Sequence, residues 1–187
     1  MAVTDLGARL LTAADLLQLS SQGVRGELIR GVLCQTMPAG QEHGEIVVNL
    51  ASELRNFVKP RRLGRLTASD AGVQLEWDPD TVREPDIAFI SVQRSPLDQR
   101  VTGYTEVAPD LVVEIASPGD SGSEVVNKAL MWLSFGVRLV WVVHPDRRTV
   151  NVHRTNHPVL TLTNADMLDG LDILPGFHYP VAQIFQP

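Results

Sequence analysis

One cysteine, Cys34, stands in this 187-residue chain, which excludes an internal disulfide and a thiolate-rich structural zinc site. In its strand-like context Cys34 reads as a small core residue. No apolar run approaches the roughly 18 residues needed to cross a bilayer. Met1 to Leu11 lacks the basic start and apolar core of a signal peptide, so a cytoplasmic protein is expected. Internal repeats, low-complexity segments and an interdomain linker are missing too, and 44% hydrophobic with 20% charged residues suits one globular core. The expectation is a single domain over residues 1–187, with its core at about 43–144. Basic residues are in the minority. Sixteen Lys and Arg against twenty-two Asp and Glu leave a net charge of −6, which argues against a general-purpose nucleic-acid coat without excluding an enzyme that acts on nucleic acid. The densest cations, Lys59-Pro60-Arg61-Arg62-Leu63-Gly64-Arg65, read either as phosphate contacts or as the solvated end of a helix whose negative pole they complement.

The patterning that is present alternates helix and strand. Thr12-Ala13-Ala14-Asp15 has the form of a capping box and opens a helix to about Leu19. Gly23 and Gly31 bracket Val24–Arg30, and Val32–Met37 follows, which predicts a hairpin. A second helix is expected over His43–Val58, with Ile46, Val47, Leu50, Leu54 and Phe57 on one stripe and His43 at its inward-facing start. Strands are predicted at Arg65–Thr67, Val73–Trp77 and Ile87–Ser91, with Asp78-Pro79-Asp80 as the turn between the last two. Residues 93–108 read as a loop or short helix. A buried strand within Asp110–Ser117, a helix over Gly122–Phe135 ended by Gly136, and a strand over Leu139–Val143 form a crossover whose two strands should be parallel. Thr149–Arg154, Val159–Thr163 and Leu171–Leu174 suggest an antiparallel meander, closed by a helical turn over Val181–Phe185. The fold class is α/β (α+β): a mixed sheet flanked by helices, with an N-terminal helix plus hairpin and a C-terminal meander.

Within Asp110-Leu111-Val112-Val113-Glu114-Ile115-Ala116-Ser117 a carboxylate interrupts an otherwise apolar strand. Removing an ionised carboxylate from water costs several kcal/mol or more unless a cation or donors meet it, so Glu114 needs a partner. An arginine would serve. So would a second carboxylate sharing a hard divalent cation with it, and Asp86, at the start of Ile87–Ser91 behind Pro85, is a candidate if the two strands pair. Asp86 alone could equally cap its own turn. Lys128 stands four residues after Glu124, where an exposed helical ion pair accounts for it, yet it also flanks the stripe of Val125, Ala129 and Trp132 and could reach inward.

Pro85-Asp86, Glu114 and a lysine resemble the PD-(D/E)XK nuclease superfamily. The chain from about Thr12 to Phe185 resembles its Uma-type restriction endonuclease branch. The likeness rests on Gly26-Glu27-Leu28-Ile29-Arg30-Gly31, Glu42-His43-Gly44, Arg83-Glu84-Pro85-Asp86, Pro109 through Pro118, Lys128, Gly136 through Trp141, and Leu174-Pro175-Gly176-Phe177. It implies a restriction-endonuclease-like fold and hydrolysis of phosphodiester bonds in DNA, assisted by Mg²⁺ or Mn²⁺. By that resemblance Asp86 and Glu114 hold the metal with the backbone carbonyl of Ile115, and Lys128 orients the attacking water. Glu27 and His43 match two further family positions and are expected to line the same site. Three departures stand out. The usual lysine slot, two after the glutamate, holds Ala116; the tyrosine four after the lysine is Trp132, without a hydroxyl donor; and the aspartate before Pro145 is His144. The arginine often found before the lysine is also absent. A non-catalytic nucleic-acid-binding or regulatory module on the same fold is the competing expectation. A homodimer with an apolar interface in 93–108 or the C-terminal meander is a further one.

Overall fold

The structure, a computed structural model, describes residues 2–3, 9–69 and 71–187. Most of the Met1–Leu11 segment considered above for a signal peptide lies outside them. Described residues form β1 (Ala2–Val3), α1 (Ala13–Ser21), the hairpin β2 (Gly26–Ile29) and β3 (Val32–Gln35), and α2 (Gln41–Arg61). They continue through β4 (Gly64–Ala68), β5 (Val73–Glu76), β6 (Thr81–Arg83) and β7 (Ile87–Ser91). The crossover β8 (Leu111–Ile115), α3 (Gly122–Ser134), β9 (Leu139–His144) comes next. It is followed by β10 (Thr149–His153), β11 (Leu160–Leu162), β12 (Met167–Asp169), β13 (His178–Pro180) and α4 (Val181–Ile184).

Local chemistry accounts for the helix ends. Thr12 and Asp15 close the expected capping box at α1, and Ser121 with Glu124 closes another at α3, each satisfying donors that a first turn leaves orphaned. Gly136 follows α3 at φ +87°, a left-handed conformation that costs glycine little.

Among the described residues the strands form a six-stranded mixed sheet in the order β11-β10-β9-β8-β7-β4, a five-stranded sheet β1-β3-β2-β6-β5, and the pair β12-β13. As the crossover pattern predicts, β8 and β9 are parallel, running in register from Leu111↔Leu139 to Ile115↔Val143. β7 pairs antiparallel with β8 only from Phe89↔Leu111 to Ile87↔Val113, so β8 runs two residues beyond the last shared rung. Because side chains alternate, Leu111, Val113 and Ile115 face the core shared with Ile46, Leu50 and Leu54 of α2, while Val112 belongs to the second core, with Val125, Ala129 and Trp132 of α3. Glu114 therefore projects into the α3 layer. Cys34 is buried and free, as expected of a core residue.

Two strand expectations need correction. The turn at Asp78-Pro79-Asp80 leads not to Ile87–Ser91 but into β6, whose fully buried Val82 pairs with Leu28 of β2. Three residues are too few to show a period, so that strand was not legible. Leu171–Leu174 is a turn. Leu171 adopts φ +52° and the N–H groups of Ile173 and Leu174 both donate back to the Gly170 carbonyl, at 3.1 and 2.9 Å. The strands there are β12 and β13, on either side of it. Residues 93–108 hold neither helix nor named strand, only an isolated bridge between Thr105 and Val73.

Candidate active site

The two rungs by which β8 outruns β7 decide the geometry. At that step the Ile115 N–H, with no strand opposite, donates to Asp86 Oδ2 at 2.7 Å. Asp86 thus ties the entrance of β7 to the end of β8 rather than capping its own turn. Its other oxygen, Oδ1, lies 3.3 Å from His43 Nε2 at the start of α2. The bond to Asp86 raises the His43 pKa above the ordinary histidine value, against the opposing effect of burial.

Glu114, buried in the α3 layer, is met by two donors. Lys128 Nζ lies 2.7 Å from Oε2, and the Trp132 indole N–H donates to Oε1 at 2.6 Å. Both come from one face of α3, four residues apart, which is why a single helix serves both oxygens. The Lys128–Glu124 ion pair considered above does not form, because the Glu124 carboxylate is held in the capping box by Ser121. The partner that Glu114 needed is a lysine and not an arginine. Even so, burial pushes the Glu114 carboxyl up to about 7, Lys128 opposing and Asp86 adding to the rise. Burial works against the Lys128 charge as well, but Glu114, Glu27 and Asp86 together hold its pKa above the usual lysine range.

Glu27, 2% exposed in β2, accepts from the Glu84 N–H at 2.8 Å and pairs with Arg83 Nε at 3.2 Å. It anchors the two residues that lead into Pro85-Asp86, and its charge reaches both Glu114 and Lys128. Asp86, Glu114, Lys128, His43 and Glu27 thus come from five separate elements or their ends and act on one another electrostatically. Trp132 is the residue whose role the sequence reading missed. Its lack of a hydroxyl looked like a lost donor, whereas the indole N–H supplies one. The signal was available: Trp132 is the only polar-tipped residue on the buried stripe of Val125 and Ala129, and a buried indole N–H needs an acceptor. His144, in the place of the expected aspartate, sits 3.2 Å from Asn151 Nδ2.

The donor set suits a hard divalent cation. Asp86 and Glu114 offer carboxylate oxygens beside the Ile115 backbone, and a Glu114 pushed to about 7 with one ammonium in contact is an anion short of positive charge. No group of three His, Cys, Asp or Glu side chains converges at metal-binding distance among the described residues, so any such ion draws on two side-chain carboxylates and the backbone.

A six-stranded mixed sheet between α2 and α3, with this crossover at its centre, defines a nuclease-like fold of the restriction-endonuclease class. The fold matches a crystal structure described as a "putative nuclease belonging to DUF820 from Anabaena variabilis ATCC 29413" at a TM-score of 0.79 and 25% identity, covering 94% of this chain and 97% of that one. The chain belongs to the Uma2 family, described as "putative restriction endonuclease", whose profile matches residues 13–182. No curated protein matches it. Among the described residues no helix is long and apolar enough to cross a membrane.

Proposed function

We propose that this protein is a cytoplasmic, Mg²⁺- or Mn²⁺-dependent endonuclease that hydrolyses phosphodiester bonds in DNA. The observation that carries the proposal is a buried glutamate in the strand beside Asp86, its two oxygens engaged by Lys128 and Trp132. Such an arrangement is costly to fold around unless the charge has a use. Asp86, Glu114 and the Ile115 carbonyl would hold the metal. The metal, when bound, polarises a phosphate oxygen and lowers the pKa of a water. Trp132 fixes the rotamer of Glu114 through its bond to Oε1. The Lys128 ammonium orients the attacking water and offsets charge that develops on the phosphate as the new P–O bond forms and the ester P–O bond breaks. His43, in contact with Asp86, would exchange a proton with the departing oxygen. Glu27 keeps Arg83-Glu84, and so Asp86, in position.

A homodimer fits this reading. Val159 and Leu160 are 52% and 57% exposed beside the outer edge of β11, which among the described residues has no strand beyond it and invites a partner strand. The test is direct. Purified protein should nick supercoiled plasmid with Mg²⁺ or Mn²⁺, stop with EDTA, and lose both metal binding and cutting as Glu114→Ala; cleavage that survives that substitution sinks the assignment. Sedimentation velocity checks the dimer.

A further inference from the structure

A cleft of about 680 Å³ opens along the β4 edge of the large sheet, outside the site above. One wall is cationic. Arg55, Lys59 and Arg62 stand at i, i+4 and i+7 down α2 and onto its cap, one row flanking the core stripe beside Val58. None has a carboxylate partner, and none of the cleft's lining residues is acidic, among the described residues. In a chain of net charge −6 this is a local reversal of sign. It divides the basic cluster: Arg61 instead donates to the Phe57 carbonyl at 3.0 Å and covers its ring. The facing wall is apolar, built from Leu97, Val101 and the ring of Tyr104 on the 93–108 segment. Arg65 acts as a strut for that wall, donating to the carbonyls of Pro96 and Gln99. Tyr104 packs where Gly72 leaves space, since a Cβ there would lie 2.3 Å from the ring.

The cleft leads to the catalytic end of the sheet. Its floor includes Thr67 and Ala88, paired across β4 and β7, and Ala88 is two residues from Asp86. Ser69, two residues past Thr67, donates its N–H to the Asp86 carbonyl at 3.0 Å. Cations along one side and apolar or aromatic groups along the other suit a strand with phosphates on one flank and bases on the other. Its volume lies in the range of small-molecule pockets, which suits a short unpaired segment.

We propose that this cleft is a second binding site, for a short unpaired nucleic-acid strand that runs along β4 between the Arg55-Lys59-Arg62 row and the Leu97-Val101-Tyr104 wall toward Asp86. The inference rests on the reading of the chain as acting on nucleic acid, and the experiment separates the two. Fluorescence anisotropy is measured on the full chain in EDTA, with a labelled oligothymidylate and a duplex of equal length, between roughly 50 and 200 mM salt. The single strand should bind more tightly. The triple variant Arg55→Gln/Lys59→Gln/Arg62→Gln should lower the slope of log affinity against log salt by about two, at about 0.7 per phosphate contact on a single strand. Val101→Ser should weaken binding at unchanged slope. An unchanged slope in the triple variant overturns this inference, and with metal-dependent plasmid nicking intact it leaves the nuclease reading standing. Tighter binding of the duplex, or equal competition by free thymidine monophosphate, overturns it as well. Loss of nicking with strand binding retained overturns only the nuclease reading.

Discussion

Replacing Lys128 by methionine keeps the stem of the side chain and removes the charge facing Glu114. The two groups are 2.7 Å apart, and the Glu114 side chain is 6% exposed. With the ammonium in place, burial already raises the carboxyl from 4.5 to about 7. The metal-free native state therefore binds its proton more tightly than the unfolded chain does. Between pH 4.5 and 7 the native state carries the extra proton, so this group's stabilisation is complete below 4.5 and is lost as pH rises through 7. The loss is about 1.4 kcal/mol per pH unit and about 3 kcal/mol across the window. In Lys128→Met the native carboxyl stays protonated further above 7. Near pH 5 the variant lacks only a hydrogen bond, about 1 kcal/mol. Above pH 7 its deficit should grow by up to about 1.4 kcal/mol per pH unit, toward the roughly 3–5 kcal/mol of a broken buried pair. Urea unfolding followed by circular dichroism, in EDTA from pH 5 to 8.5, measures this, with Glu114→Gln as the reference that removes the titrating group. A deficit equal at both ends of the range refutes the reasoning, as does a wild type that gains stability relative to Glu114→Gln between pH 5 and 7.

Three further outcomes are expected. Trp132→Phe removes the 2.6 Å donor to Glu114 and should cost roughly 2–4 kcal/mol in urea melts at pH 8, with much less lost in a Glu114→Gln background, where the acceptor is no longer charged. Moving the ammonium, as Lys128→Ala with Ala116→Lys, should restore part of the plasmid-nicking rate that Lys128→Ala abolishes, because Ala116 stands two residues beyond Glu114, just past the end of β8, and packs against the α3 layer. Gly64→Ala should lower the thermal midpoint by several degrees, since the added Cβ would lie 2.1 Å from the Ile90 carbonyl oxygen across β4 and β7.

Much of the arrangement was legible because it rests on short-range physics. The stripe of Ile46, Val47, Leu50 and Leu54 shows α2, the Thr12–Asp15 box marks the start of α1, and the apolar run with one carboxylate marks β8. The elements misread, β6 and the turn at Leu171–Leu174, are those too short for periodicity or set by a backbone bond back to Gly170. At the site, Glu114 stood out as a charge whose simple explanation was poor, whereas Asp86 and Lys128 each had a local explanation, a turn cap and an ion pair with Glu124, that the folded chain replaces with bonds to Ile115 and Glu114. Trp132 stood out only as a missing hydroxyl, because its indole N–H was not followed to an acceptor.

By itself the sequence determined that Glu114 would be buried and would require a counter-charge, since burial follows from the run of Leu111, Val112, Val113 and Ile115, and desolvation from burial. Which residues answer that requirement was decided by tertiary structure. Lys128 and Trp132 reach Glu114 because α3 crosses back over the sheet with that face inward, and Asp86 reaches Ile115 because β7 pairs with β8 and stops two residues short. Ion pairs and hydrogen bonds act over a few ångströms, and only the folded chain brings residues 18 or 29 positions apart within that reach.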